Sequence, residues 1–132
     1  MLHYAVVDCA NDPRLHRLVT RTRTHTCLFA GKLDRESAAT APWLVQLEPD
    51  SELSQLWQTE GRDKPWGIRL HSDRSIGELC RHFRHFLLVN TPDTRLVLFR
   101  FYDPRVWTVY WKTLNEKDRR AWTAPGIVFL TV

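Results

Sequence analysis

The sequence predicts a single α/β domain of the mixed α+β kind, a mixed β-sheet covered by helices, on three observations. Short apolar runs rich in β-formers, such as Leu2–Val7 and Trp43–Leu47, interleave with segments of helical periodicity. An aspartate followed by proline, the combination that opens a helix, occurs at Asp12-Pro13 and again at Asp103-Pro104. The interleaving follows no repeat, which favours layers packed around one core.

Leu2–Val7 is apolar at nearly every position, as a central strand covered on both faces must be. Asp12 then caps a helix whose Leu15, Leu18 and Val19 form an apolar stripe, with Arg14, Arg17 and Arg21 on another face. Thr26–Ala30 reads as a second strand closed by Gly31, and Trp43–Leu47 as a third after Pro42, with an irregular Ala/Ser/Thr stretch between them. Asp50 or Ser51 caps a short helix carrying Leu53, Leu56 and Trp57, which Gly61 ends. Trp66–His71 alternates as a strand does.

Ser75 and Glu78 form a capping-box pattern before the clearest helix, in which Ile76, Leu79, Cys80, Phe83, Phe86 and Leu87 make one apolar stripe. Leu87–Asn90 and Arg95–Tyr102 flank Thr91-Pro92-Asp93-Thr94 as an antiparallel hairpin. Asp103-Pro104 opens a helix with Val106, Trp107, Tyr110, Trp111 and Leu114, aromatic over a wide arc. Pro125-Gly126 turns the chain into a terminal apolar segment, Ile127–Val132.

At 132 residues the chain fits one domain, 1–132, and its 43% apolar and 26% charged content is that of a globular protein rather than a disordered one. Its longest apolar runs, Leu96–Phe99 and Ile127–Leu130, fall far short of the roughly 20 residues a membrane span needs. The opening residues lack a basic region and meet Asp8 early, so they do not read as a secretory signal, and the expected compartment is cytoplasmic. Cys9, Cys27 and Cys80 are odd in number and widely spaced, which fits reduced thiols. The net charge of +4 rests on 15 arginines against four lysines, and with six tryptophans this tilts the surface towards protein contact.

Motifs for catalysis are missing. Gly31, Gly61, Gly67, Gly77 and Gly126 are scattered, so no loop can close its N–H groups on a phosphate, and no nucleophile elbow, zincin helix or CxxC pair occurs. At 100° per residue Cys80 points away from His82 and His85, so the three cannot share a metal. Asp8, Asp34, Glu36 and Asp103 are the carboxylates near strand ends and turns; Asp103 reads as a cap and Asp8 as the partner of Arg100 or Arg105. Arg14, Arg17, Arg21 and Arg23 with Arg81 and Arg84 could form a basic patch for nucleic acid, or a solvated helix face. We therefore expect no cofactor, no metal and no enzymatic activity, with a small enzyme of unrecognised site standing beside the nucleic-acid binder as an alternative reading.

The run Leu98-Phe99-Arg100-Phe101-Tyr102-Asp103-Pro104-Arg105-Val106 resembles the adaptor/chaperone domain of bacterial type VI secretion, the Tap or TEC family. Other matching blocks occur in order: Tyr4–Asp8, Cys27–Gly31, Ala41–Val45, Trp66–Ile68 and Leu79–Arg84, so that the match spans about residues 4 to 106. The resemblance implies a cytoplasmic, non-catalytic chaperone that binds a cognate effector and helps load it onto the VgrG spike. Two features depart from it: Thr91-Pro92-Asp93-Thr94 stands where relatives commonly carry an Asp-Gly turn, and the helical C-terminal lobe of many relatives has no counterpart before Val132. Beside that resemblance, Arg105, Trp107, Tyr110 and Trp111, with Trp57 and Trp66, are the candidate partner contacts, although aromatic stripes at helical spacing also pack inward. Asp8, Arg100 and Asp103 are expected to fix the strand-to-helix corner.

Overall fold

The computed structural model describes residues 1–124 and 126–131. Five strands, β1 (Leu2–Asp8), β2 (His25–Cys27), β3 (Pro42–Gln46), β4 (Gly67–Ser72) and β7 (Ile127–Phe129), form one sheet in the order β2-β3-β1-β4-β7. Every pairing in it is antiparallel. A separate hairpin joins β5 (Leu88–Asn90) to β6 (Leu96–Leu98). Six helices surround these strands: α1 (Pro13–Thr20), α2 (Arg35–Thr40), α3 (Glu52–Leu56), α4 (Ile76–Arg84), α5 (Pro104–Thr113) and α6 (Glu116–Thr123). The fold is the mixed α+β arrangement expected, with β1 in the centre.

The pleat sends alternate side chains to opposite faces, and each face has its own core. Tyr4 and Val6 join Leu44, Ile68 and Leu70 under α4, α5 and α6, which contribute Leu79, Phe83, Trp107 and Trp122. Ala5, Val7 and Val45 join Leu15, Leu18 and Val19 of α1 and Leu53 of α3 on the other face. There a π-helical turn, Trp57–Gly61, brings the Trp57 ring edge-on to Trp66. A Cβ on Gly61 would lie 2.7 Å from the Trp66 ring, so glycine is what lets the pair close.

Several elements differ from the sequence reading, each for a physical reason. The second strand stops at Cys27 because Arg84 takes the carbonyls of Cys27 and Leu28, at 3.0 and 2.9 Å, while Leu28 turns into the core. The stretch read as irregular contains α2, capped by Asp34, whose side chain accepts from the Ser37 N–H at 2.7 Å; it buries no residue and so shows no periodicity. α6 escaped notice likewise, since only Trp122 of it is buried. Strand β6 ends at Leu98 rather than at Tyr102, because Phe101 and Tyr102 leave the hairpin for the core. At α4 the Glu78 carboxylate receives the Ser75 hydroxyl at 3.3 Å, while Ser75 Oγ accepts from the Glu78 N–H at 3.2 Å. Pro125 and Val132, within the expected turn and terminal segment, lie outside the described residues.

Candidate functional site

The segment from Arg100 to Arg105 is organised by two carboxylates. Asp8, at the end of β1, is buried; its Oδ2 accepts from Arg100 Nη2 at 2.5 Å and its Oδ1 from the Ala10 N–H at 3.2 Å. Arg100 lies above the Tyr102 ring, 5.9 Å from its centre. Burial, with the charge of Asp8 adding to it, pushes the Tyr102 phenol up to about 12. Asp103 caps α5, accepting from the Arg105 backbone N–H at 2.9 Å and from its guanidinium at 3.1 and 2.9 Å. The Arg105 guanidinium holds that carboxyl below the usual aspartate value.

The same Asp-Pro-Arg geometry recurs at α1, where Asp12 accepts from the Arg14 N–H, Nε and Nη2 at 2.9, 3.1 and 2.9 Å. Three consecutive residue types thus make a repeated local device: cap, proline at the first turn, and an arginine folded back as a two-pronged clamp. Asp8, Arg100 and Asp103 stand at the corner where the sequence places them.

The aromatic candidates divide. Trp107 is fully buried among Phe101, Trp111, Trp122 and Phe129, and Trp57 and Trp66 are buried in the other core. None of the three can present a ring to a partner, which corrects the expectation of an exposed aromatic surface. For Trp107 the cause is α6, which lays Trp122 against α5 and covers that arc, whereas Trp57 and Trp66 pack edge-on against each other in the core on the other face of the sheet. Tyr110 and Trp111 are half-buried: the Tyr110 hydroxyl accepts from Trp122 Nε1 at 3.3 Å, and Arg119 sits 5.2 Å from the Trp111 ring. Arg105 is exposed, and on the outer side of α5 it is Val106 and Val109 that face solvent.

A continuous arginine face does not form either. α1 and α4 lie on opposite sides of the sheet. Arg14 is paired with Asp12 and Glu60, Arg21 with Glu52 and Arg23 with Glu48, while Arg84 is spent on backbone carbonyls. The His82 Nε2–H donates to the Trp122 carbonyl, 2.7 Å away, which ties α4 to α6. Burial lowers its pKa.

Two surfaces remain. On the β5–β6 hairpin all six strand residues are exposed, and five of them, Leu88, Val89, Leu96, Val97 and Leu98, are large aliphatics. The register puts Leu88 opposite Leu98 and Val89 opposite Val97, so both faces of the ribbon are apolar. The sequence carried this signal, because a hairpin with one wet face should alternate and Leu87–Val89 and Leu96–Leu98 do not. The second surface is a groove of about 1210 Å³ between the Trp57–Pro65 segment and the first turn of α5, floored by His3, Gly67 and Arg69. It brings Trp57 and Arg105 to one site, together with Arg62 and Lys64, which sequence reasoning passed over because a short charged loop carries no periodicity.

No helix among the described residues is long and apolar enough to cross a membrane. No curated protein and no solved structure matches the chain. Residues 3–121 match a family model described as Domain of unknown function (DUF4123), which covers β1 from its second residue, β2, β3 and β4 of the sheet, the hairpin and most of α6, and stops short of β7. The chain belongs to that family.

Proposed function

We propose that this protein is a non-catalytic chaperone of bacterial type VI secretion, which holds a cognate effector in the cytoplasm and helps load it onto the VgrG spike. The observation that carries the reading is the β5–β6 hairpin. Two-stranded ribbons alone are marginal in water, and five exposed aliphatic side chains on one of them are costly unless a partner covers them. Membership of the family over residues 3–121 supports the same direction, as do the ordered blocks that end in Arg100–Arg105. The hairpin replaces the buried tryptophans as the principal contact, and Arg105 keeps its place as a contact at the groove.

The test is a pull-down of the tagged protein from its native cytoplasm at low and high salt, beside the double variant Leu88→Lys/Leu96→Lys. One stoichiometric large protein, retained at high salt by the native chain and lost by the variant, is the expected result. Nucleic acid alone, lost at high salt, would overturn the reading.

A further inference from the structure

We propose that the groove between the Trp57–Pro65 segment and α5 is a docking site for an acidic, extended polypeptide segment. The proposal rests on the reading of the protein as a partner-holding chaperone, and it names the chemistry of a second contact independent of the hairpin.

Charge comes first. Arg62, Lys64, Arg69 and Arg105 line the groove against a single carboxylate, Asp63. Most other arginines of this face are neutralised at home, Arg14 by Asp12 and Glu60 and Arg21 by Glu52. Arg62, Lys64 and Arg69, by contrast, take part in none of the ion pairs among the described residues. Arg105 spends Nε and Nη2 on Asp103 and, with its side chain 72% exposed, keeps Nη1 for an incoming carboxylate. Three uncommitted cations and one half-committed guanidinium, converging on one concavity, form a complementary field for carboxylates.

Shape decides the size of the occupant. At about 1210 Å³ the groove exceeds the roughly 300–1,000 Å³ of a small-molecule pocket. Its walls are fixed: Gly61 lets Trp57 and Trp66 lock the near side, and the Asp103 cap sets the start of α5 on the far side. The floor is the part of β4 that α1 and α3 leave uncovered, where the Arg69 N–H binds Thr131 Oγ1 at 3.2 Å.

The lining chooses polypeptide over nucleic acid. Sequence-tolerant binding of single strands needs exposed rings on which bases stack. The one tryptophan in the lining, Trp57, is only 7% exposed and packed edge-on against Trp66. Leu47, Pro49, Pro104 and Leu130 offer aliphatic contact instead, which suits the side chains between carboxylates on an extended chain.

The experiment is fluorescence anisotropy with a short labelled peptide alternating glutamate and serine, a lysine-for-glutamate version of it, and a single-stranded oligonucleotide. The acidic peptide should bind the native chain, weaken with salt, and lose roughly tenfold in affinity on Lys64→Glu/Arg69→Glu. Arg81→Glu/Arg120→Glu makes the same change of net charge from exposed positions on α4 and α6, over the other face, and should leave binding within about twofold. Equal loss in both double variants, absence of peptide binding, or tighter binding of the oligonucleotide at the same residues would each overturn the proposal. The pull-down with the hairpin variant reads the chaperone function separately, so that reading survives or fails on its own result.

Discussion

Arg100 reaches across 92 positions of sequence to donate to Asp8 at 2.5 Å, and the two are unequally placed: the aspartate side chain is 2% exposed and the arginine side chain 52%. A buried charge that loses its partner keeps its desolvation cost without compensation. Arg100→Ala should therefore destabilise by about 2 kcal/mol, less than a fully buried pair would lose because the arginine side chain is half exposed to water. Urea denaturation measures this, and Asp8→Asn/Arg100→Ala should lose less than the two single changes added together.

Asp103 links the corner to pH. With the Arg105 guanidinium holding its folded-state carboxyl below the ordinary value of about 3.9, the unfolded chain binds the proton more readily. The contribution to stability is then present above that value and is lost as pH falls through the lower folded value. Asp103→Ala should cost about 1 kcal/mol at neutral pH, the usual loss for an N-cap. Asp103→Asn keeps a capping oxygen, so it should cost less, and its deficit should fade as the solution is acidified. Thermal unfolding followed from neutral to acid pH checks both; Asp12 and Asp34, lowered in the same direction, leave residual acid sensitivity in either variant.

Gly67 leaves no room for a side chain where β4 passes β1. A Cβ there would stand 2.0 Å from the Val6 carbonyl oxygen, which is backbone and cannot swing aside. Gly67→Ala should cost about 4 kcal/mol or more, at the far end of the range for single substitutions, and should lower the recovery of folded protein. Gly77→Ala on α4, with only Ser75 Oγ near 4.0 Å, serves as the control and should be neutral or slightly stabilising.

Trp107 sits at the centre of the larger core. Trp107→Ala should cost about 4 kcal/mol by opening a cavity among Phe101, Trp122 and Phe129, and a hairpin substitution such as Leu96→Lys should stay within about 0.5 kcal/mol. Denaturation midpoints of the two variants, compared side by side, separate core from contact surface.

What could be read from the sequence was whatever carried periodicity or a local hydrogen-bond rule. The two-sided apolar run of β1, the stripe of α4 and the Asp-Pro starts of α1 and α5 each appear where they were expected. α2 and α6 were silent because they bury no residue and one residue, so their helicity rests on caps and tertiary context. The candidate site was legible only at its corner. Whether Trp107 faces in or out depended on α6, and the gathering of Arg62, Lys64, Arg69 and Arg105 in one groove depended on long-range folding that no window of sequence contains.

The hairpin turn carries the last prediction. Thr94 has φ of 66°, the left-handed region in which a β-branched residue is strained, and no other described non-glycine residue adopts it. The turn holds it there through the Thr94 N–H to the Thr91 carbonyl at 2.9 Å and the Thr91 N–H to the Arg95 carbonyl at 2.8 Å, with the Thr91 hydroxyl also bonded to Asp93. Glycine removes the steric cost, although its greater freedom in the unfolded chain offsets part of the gain. Thr94→Gly should therefore tighten the turn by about 0.5–1 kcal/mol. Amide hydrogen exchange at Thr91 and Arg95 reads this directly: slower exchange in the variant confirms the strain, and faster exchange would mean that the threonine hydroxyl, bonded to the Asp93 carbonyl at 2.6 Å, contributes more than its backbone costs.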